Sequence, residues 1–437
     1  MAISLGFHII LAALGIGFPL ITLIAHWRGL RTGDNHYLEL ARRWAKTMAV
    51  LFAVGAVSGT ILSFEMGMLW PGLMGPYGDV IGLPFTLEGV SFFLEAIFIG
   101  IYLYGWKRMS ARLHFLSLFP IVLAGIAGSF FILTVNSWMN SPAGFEIVNG
   151  EVVNVDPWAA MFNDATAVQY THMLLAAYMV SGFLVAGVYA WGWLKGRRDR
   201  HHKLGFIIAF SVAAVAAPIQ ILVGDTAARR LIDAQPAKFA AMELVTEGGS
   251  NAPFTIGGIL VDGEVVGAIE IPGLGSLLGT RSFDGELPGL DDIPPDEIPP
   301  VNIVHISFQV MVAIGTGLLL LSAWFAIRWW RKKSLPESRW FWRLAAVSGA
   351  AAVVAMEAGW ITTEVGRQPW IVWQQVRTAD AVTNADGLIW SLILITVVYV
   401  GLATASVLAL KRISRGFASG QDVATPYGPP VPEATGD

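Results

Sequence analysis

The sequence predicts an all-α fold, a polytopic membrane bundle of nine transmembrane helices with its N-terminus outside and its C-terminus in the cytoplasm. Three observations predict it. First, the 437 residues are 55% hydrophobic and only 14% charged, whereas soluble domains carry about 25% charged residues. Second, several windows of roughly 20 residues hold almost no charge, and that length crosses about 30 Å of hydrocarbon. Third, connections rich in Lys and Arg alternate with connections that contain few of them or none, a pattern that sets the orientation of membrane helices.

The nine predicted spans cover residues 3–25, 46–68, 84–106, 114–135, 167–194, 204–223, 303–328, 340–363 and 388–410. Basic residues crowd the connections 28–46, 107–112, 195–203, 328–333 and 411–415. The segments 69–83 and 136–166 contain none. The basic connections are therefore expected in the cytoplasm, and an odd number of spans agrees with termini on opposite sides. The first apolar run is long enough to be a span and lacks a basic n-region, so no cleavable signal is expected.

A long polar segment divides the predicted spans into two groups. Residues 1–223 hold the first six spans and residues 303–415 hold the last three. Residues 224–302 are rich in Gly and Pro and face outside by the alternation; a loop of that length is usually functional or disordered. Residues 416–437 are Pro/Gly-rich, which predicts a disordered cytoplasmic tail.

The residue types that are missing exclude several functions. The chain has no cysteine, which excludes disulfides, thiolate-ligated heme, iron–sulfur clusters and covalent C-x-x-C-H heme attachment. Any redox cofactor must then bind through His, Met or a carboxylate. No long basic stretch with interleaved aromatic residues occurs, so nucleic acid is not an expected partner. Besides His114 at the first position of the fourth span, the predicted spans contain three histidines, too few for a heme–copper oxidase: His8, His172 and His305.

Ionisable side chains inside the predicted spans are the candidate functional residues, because they are rare there and usually mark a cofactor, an ion or a proton path. The candidates in or directly beside the spans are His8, Glu65, Glu88, Glu95, His172, His305, Glu357 and Glu364. A lone histidine on an apolar face is more often a structural residue, and methionine is ordinary helix filler. A His/Met pair, such as His172 and Met311 could provide, is nevertheless the axial set of a low-spin b or c heme, and without cysteine heme b is the option left.

Two pairs of residues share a helix face. Glu88 and Glu95 stand seven residues apart, which is nearly two turns and about 10 Å along a helix. Such a pair suits a proton relay or an iron ligand, and the plain alternative is a hydrogen bond between helices. Trp360 and Glu364 are one turn apart at the outer end of the eighth span, where Glu364 could also simply reach outer water. One cluster is favoured because five candidates fall towards the same outer side: His8, Glu88, His172, Met311 and Glu364.

Six motifs carry a resemblance to a known family: 7-FHI-9, 88-EGVSFFLE-95, the span holding His172, 235-QPAKFAAME-243, 307-SFQVM-311 and 359-GWITTEVGRQPW-370. With them the chain resembles subunit I of the cytochrome bd-type quinol oxidases nearly from end to end, and the last motif is the most specific. The resemblance implies a heme-carrying catalytic subunit in the bacterial cytoplasmic membrane. Such a subunit oxidises quinol, reduces dioxygen to water and generates a proton gradient.

The resemblance also implies roles for individual residues. His172 and Met311 would be the axial ligands of the low-spin heme b. His8 and Glu364 would be the ligands of two high-spin hemes, one b and one d, in an order left open. Arg367 would lie near heme propionates, where its charge offsets theirs.

Further roles follow from the same resemblance. Trp360 would lie among the three hemes. Glu88 and Glu95 would border the dioxygen site and pass protons, and Lys238 and Glu243 would bind quinol. The expected partners are a second membrane subunit (subunit II), in some members small accessory subunits, and the lipid bilayer.

The chain departs from the family pattern in three places, one of which is an outer loop of the shorter type. Gln309 stands where many members have an arginine two positions before the heme-ligating methionine, so the potential or the propionate contacts of the low-spin heme could differ. The chain also begins close to its first span, where members carry a short leader, so either the natural start lies upstream or the outer edge differs. Two alternatives stay open: a cyanide-insensitive bd-like oxidase with b hemes only, and a proton or cation transporter.

Overall fold

A computed structural model describes residues 1–418, and residues 419–437 of the predicted tail lie outside the described residues. Within residues 1–418, nine helical segments are long and apolar enough to cross a membrane. The prediction of an all-α bundle with nine spans is therefore confirmed. The last helix continues through residue 418, so residues 416–418 are helical rather than part of a disordered tail.

The elements in chain order are α1 (Ala2–Thr32), α2 (Asn35–Leu69), α3 (Pro71–Gly105), α4 (Ala111–Leu116), α5 (Leu118–Asn140), β1 (Glu146–Val148), β2 (Glu151–Val153), α6 (Pro157–Met161), α7 (Thr166–Leu194), α8 (Arg200–Ala234), α9 (Pro236–Glu243), β3 (Phe254–Val261), β4 (Glu264–Ile271), α10 (Leu274–Thr280), α11 (Val301–Lys332), α12 (Arg339–Val365), β5 (Trp370–Val372), β6 (Val376–Arg377), α13 (Thr378–Ala381) and α14 (Leu388–Ala418). The nine spans are α1, α2, α3, α4 with α5, α7, α8, α11, α12 and α14.

Most spans extend beyond their predicted ends. The predicted connection at 69–83 is largely helical, because α3 begins at Pro71. Proline suits the first helical position, since its fixed φ is already helical and the missing N–H would have no partner there. Similarly, α8 continues to Ala234, past the predicted end at residue 223. Hydropathy locates the apolar part of a helix, whereas these helices continue into polar sequence.

One end of the bundle carries the segment 235–300, and we call it the loop end. The opposite end, which we call the basic end, carries the connections rich in Lys and Arg. The segment has a hydrophobic core of its own, formed by α9 and the following residues against the loop end of α11. Its strands β3 and β4 pair antiparallel. Asp262 and Gly263 connect them and both have positive φ, as a two-residue type I′ hairpin turn requires.

Four spans form a ring in which α7 packs on α8, α8 on α11, α11 on α12, and α12 on α7. Small residues allow close packing between them. A Cβ atom added to Gly182 of α7 would lie 2.7 Å from the carbonyl oxygen of Ala209 in α8. One added to Gly349 of α12 would lie 2.5 Å from the Cα of Leu184 in α7. Close backbone approach at small residues is a common basis of helix association in membranes. Outside the ring, α1 packs on α2, α5 and α7, and α3 packs on α5.

Candidate functional site

His172 and Met311 lie on opposite corners of the four-helix ring. His172 stands near the beginning of α7 and Met311 in the loop-end half of α11, so both are in the same half of the bundle. The ring order α7, α8, α11, α12 makes α7 and α11 diagonal partners. Cofactor sites in helix bundles are built from side chains that project inward from facing helices. The arrangement therefore provides a nitrogen and a sulfur donor on the two sides of one interior site.

Glycines on the two intervening helices adjoin these side chains. A Cβ atom on Gly224 of α8 would lie 3.1 Å from Cε1 of His172, and one on Gly359 of α12 would lie 2.9 Å from Sδ of Met311. Gln220, one turn before Gly224, places Nε2 3.2 Å from Nε2 of His172. Among residues 1–418, Nδ1 of His172 is buried and has no hydrogen-bond partner. Because an amide nitrogen donates, Nε2 of His172 carries the lone pair that accepts from Gln220, and Nδ1 carries the proton.

Glu364 and Arg367 form a partly buried ion pair where α12 ends. An Nη atom of Arg367 lies 2.6 Å from an oxygen of Glu364, and the Arg367 side chain has no exposed area. The other oxygen of Glu364 accepts a hydrogen bond of 2.7 Å from Asn136 of α5. Within the described part of the chain, nothing accepts from Nε or the second Nη of Arg367. A buried guanidinium with two unused donors fits additional carboxylate oxygens.

A polar chain extends from this ion pair into the segment 235–300. Asn140, one turn after Asn136, donates to the Asn136 carbonyl oxygen at 2.9 Å. Its own Oδ1 accepts from Nζ of Lys238 at 2.9 Å, and its carbonyl oxygen accepts from Gln235 at 2.7 Å. Sequence reasoning missed Asn136, Asn140 and Gln235. The available signal was the pair of amides four residues apart in 136-NSWMN-140, because residues at that spacing share a helix face.

The two residues predicted to bind quinol have different surroundings. Lys238 is 3% exposed, and burial together with the guanidinium of Arg367 holds the pKa of its ammonium group well below the usual range. Glu243 ends α9 and is half-buried. Burial raises the pKa of its carboxyl group to about 7. Lys238 therefore faces the buried polar chain, whereas Glu243 is the group on α9 that titrates near neutral pH.

His8 contacts α2. Its Nδ1 lies 2.9 Å from Oγ of Ser58, and Ser58 donates to the carbonyl oxygen of Gly55 at 3.0 Å. Because that serine proton goes to Gly55, Ser58 is left to accept from Nδ1, which leaves Nε2 of the ring as the lone-pair nitrogen. A Cβ atom on Gly59 would lie 3.0 Å from Cε1 of His8. The helix α2 thus fixes the ring and its tautomer.

Glu88 and Glu95 are both on α3, as the spacing predicts, and Glu95 is the more buried. It is 8% exposed, and a Cβ atom on Gly125 of α5 would lie 3.8 Å from one of its oxygens and the same distance from Cα of Ile16 in α1. Its Oε1 has no hydrogen-bond partner among residues 1–418. This oxygen therefore does not make the hydrogen bond to a neighbouring helix that was the plain alternative.

The other candidates make the following contacts. Trp360 is half-buried on α12, one turn before Glu364. Glu65 accepts a hydrogen bond of 2.8 Å from Ser4. His305 lies 2.9 Å from the carbonyl oxygen of Met242. Glu357 faces α1, where a Cβ atom on Gly6 would lie 3.3 Å from its Oε2.

Gln309 turns away from Met311. Residues two positions apart on an α-helix are separated by about 200° around its axis, so the side chains of Gln309 and Met311 leave α11 on nearly opposite sides. Nε2 of Gln309 donates to the carbonyl oxygen of Thr255 in β3 at 3.0 Å. The side chain at position 309 thus bonds to the β3–β4 hairpin.

Comparison with protein families gives a match over almost the whole chain. Residues 1–417 match the model of the family described as cytochrome bd terminal oxidase subunit I. A Bacillus subtilis (strain 168) protein, provisionally named cytochrome bd menaquinol oxidase subunit I, is 35% identical over 431 residues, which are 97% of this chain and 96% of that protein. A second Bacillus subtilis protein, named cytochrome bd ubiquinol oxidase subunit 1, is 32% identical over 428 residues, covering 94% of this chain and 91% of its own length.

A solved structure also matches. The bd oxidase from Geobacillus thermodenitrificans contains a chain with a TM-score of 0.88 and 40% sequence identity. The match covers 95% of the present chain and 96% of that chain. The arrangement of the nine spans is thus shared with that structure.

Proposed function

The chain belongs to the cytochrome bd terminal oxidase subunit I family, and from this premise we propose that it is the catalytic, heme-carrying subunit of an oxidase that oxidises membrane quinol and reduces dioxygen to water. The names of the two Bacillus relatives differ in the quinol, one menaquinol and the other ubiquinol. Either quinol is therefore a reasonable substrate to test.

The observation that carries the proposal is the placement of His172 and Met311 on diagonal helices of one ring. Imidazole and thioether are the axial donors of a low-spin heme b. Gly224 and Gly359 keep the two donors free of a neighbouring Cβ atom. When bound, the hemes supply one-electron transfer and the reduction of dioxygen. The protein's contribution at this site is to hold the two donors inside the ring and away from water.

His8 and Glu364 are the proposed ligands of the two high-spin hemes, one b and one d. The contact of His8 with Ser58 directs one ring nitrogen to α2 and leaves the other for a metal. Glu364 is held by Asn136 and Arg367. The unused donors of Arg367 suit propionate carboxylates, and its fixed charge would offset theirs. We infer that Trp360, one turn from Glu364, lies among the same groups.

Protons for water are proposed to pass along α3 through Glu95 and then Glu88. Glu95 lies near Gly125 of α5, Glu88 shares its side of α3 by spacing, and the unpartnered oxygen of Glu95 can accept and release a proton. With the loop end outside, as the basic connections suggest, protons would travel from the cytoplasm into the bundle, toward the loop end. Each charge that crosses 100 mV stores about 2.3 kcal/mol, so the reaction would generate a proton gradient without a separate pump.

Quinol is proposed to bind beside α9, with Glu243 as the proton acceptor. A carboxyl group with a pKa of about 7 is half deprotonated at neutral pH and can take a proton from the quinol hydroxyl. Lys238 would support this site indirectly: its hydrogen bond to Asn140 holds the buried polar chain in place.

Quinol-dependent oxygen consumption across roughly pH 6 to 8 tests the function and the role of Glu243 together. Glu243 accepts a proton only when deprotonated, so the rate should fall by up to about tenfold per unit as the pH drops below 7. Glu243→Gln should be slower and should lose this slope. Absence of any quinol-dependent oxygen consumption would contradict the function, and an unchanged slope in Glu243→Gln would remove only that residue's role.

Subunit I of a bd oxidase works with a second membrane subunit. We propose that this second subunit covers α14. Only 6% of the most apolar stretch of α14 is buried, against 61% for α7. The neighbouring span α2 is also poorly covered, at 17%. Small accessory subunits would use other parts of the surface.

A further inference from the structure

The β3–β4 hairpin lies along α11, and three side chains of α11 hold it there. Asn302 accepts from the backbone N–H of Leu260 at 2.7 Å and donates to its carbonyl oxygen at 2.9 Å. His305 and Gln309 bond to carbonyl oxygens nearer the beginning of β3, at 2.9 and 3.0 Å. The three residues stand three and four positions apart, so they form one stripe on α11. The hairpin is therefore fixed parallel to the helix axis, with its turn farthest from the membrane centre.

The hairpin has an inner face, which includes Leu260 and Val265 as well as the pair Thr255 and Glu270, and an outer face that is formed mainly by Ile and Val. Leu260 and Val265 of the inner face pack against the hydrophobic core of the segment 235–300. Cross-strand pairs on the outer face are 256 with 269 and 259 with 266. The outer residues are between 40% and 67% exposed: Ile256, Ile259, Val261, Val266, Ile269 and Ile271. Water is a poor environment for six exposed Ile and Val side chains on one element.

The stripe that holds the hairpin continues along α11 as an exposed surface. At the same helical spacing, Ala313 and Thr316 follow Gln309 and are exposed. Leu320 is 65% and Trp324 39% exposed. These residues belong to a membrane span, so this surface is available to lipid. The outer face of the hairpin continues that lipid-facing surface toward the loop end.

The length of α11 gives the depth of the hairpin. The helix runs to Lys332, and its first basic residue from the apolar side is Arg328. A hydrocarbon core of about 30 Å takes roughly 20 residues, which counted back from Arg328 ends near position 308. Gln309 and the beginning of β3 thus lie at the hydrocarbon boundary, and the turn at Asp262 lies among or beyond the headgroups.

We propose that the outer face of the β3–β4 hairpin is embedded in the lipid leaflet at the loop end and anchors the segment 235–300 to it. The strand ends with Ile256 and Ile269 contact acyl chains, and the turn with Asp262 and Glu264 stays in water. Apolar elements that lie in this boundary bind by burying area among the acyl chains. Nδ1 of His305 also lies 2.9 Å from the carbonyl oxygen of Met242 in α9, so the ring that holds the hairpin also contacts α9. This inference does not depend on the proposed oxidase activity.

Spin labels can test the anchor because the chain has no cysteine of its own. Ile269→Cys, Asp262→Cys and Leu320→Cys are each labelled with a nitroxide in the complete complex, reconstituted in phosphatidylethanolamine–phosphatidylglycerol nanodiscs. Labelled complex with the unchanged chain gives the background from partner subunits. Collisions with dissolved oxygen report lipid, and collisions with a water-soluble nickel chelate report water. Val266→Cys serves as a second outer-face site.

The ratio of oxygen to nickel collisions at position 269 should be several-fold higher than at 262 and should approach that at 320. The ratio at 266 should fall between those at 269 and 262. A label at 269 as accessible to nickel as the one at 262 would overturn the proposal. So would a label at 269 that neither reagent reaches, because a protein surface would then cover the hairpin.

Discussion

Met311→Leu is expected to remove the low-spin heme b signal from the reduced visible spectrum while the protein stays folded. Leucine keeps nearly the same volume, so the cost in unfolding free energy should be below about 1.5 kcal/mol. The thioether donor is lost, and with it one of two axial ligands. Mutation of residues that only hold a metal ligand in place already lowers metal affinity or activity by about 10–100-fold. Loss of a ligand itself should therefore lower quinol-dependent oxygen consumption by at least about 100-fold. His172→Ala should give the same spectrum.

Two glycine variants sharpen this test. In Gly359→Ala the new Cβ would lie 2.9 Å from Sδ of Met311, so the sulfur must move and the low-spin signal should shift or weaken. Gly315→Ala is the matched control, because a Cβ atom there meets nothing within 4 Å and alanine favours a helix by about 1 kcal/mol. A normal low-spin spectrum in both Met311→Leu and His172→Ala would show that these residues are not the ligands.

Glu95→Gln is expected to lower oxygen consumption by about 10²–10⁴-fold, the range for loss of a positioned proton-transfer group. Heme content and the reduced spectrum should stay unchanged, because the amide has the same shape and Glu95 is not a proposed ligand. The structural basis is a buried carboxyl oxygen without a hydrogen-bond partner in the described chain. Oxygen consumption, measured with quinol in excess, is the readout.

Glu95→Asp separates proton transfer from packing at the same position. Aspartate keeps a carboxyl group but retracts it by one methylene, so activity should lie between that of the unchanged chain and Glu95→Gln. If Glu95→Gln consumed oxygen at the normal rate, a relay through Glu95 could not be upheld. If both variants lost heme, the residue would be structural.

Much of the fold could be predicted because the bilayer restricts what can cross it. Every span shows as an apolar run, and the number of spans follows from hydropathy alone. The ends could not be predicted in the same way. The helix α3 begins at Pro71 and α8 continues to Ala234, because helix formation outside the hydrocarbon depends on capping and packing rather than on hydropathy.

The candidate site could be predicted where the residue type itself is costly or chemically specific. Asn136 and Asn140 were missed because an amide near a helix end is common, and nothing local shows that it bonds to Glu364 or Lys238. The partner of Gln309 was likewise out of reach, since Thr255 lies far away in sequence and only the folded hairpin places it beside α11. Long-range hydrogen bonds of this kind need the tertiary structure.

The most direct test of the proposed function is the visible spectrum of the purified complex, recorded without oxygen, after addition of quinol, and again after admission of oxygen. The expected result is a spectrum of bound hemes, including a low-spin b band, that becomes reduced on addition of quinol and reoxidises when oxygen enters. A colourless protein, or bound hemes that quinol does not reduce, would contradict the central claim that this chain transfers electrons from quinol to dioxygen.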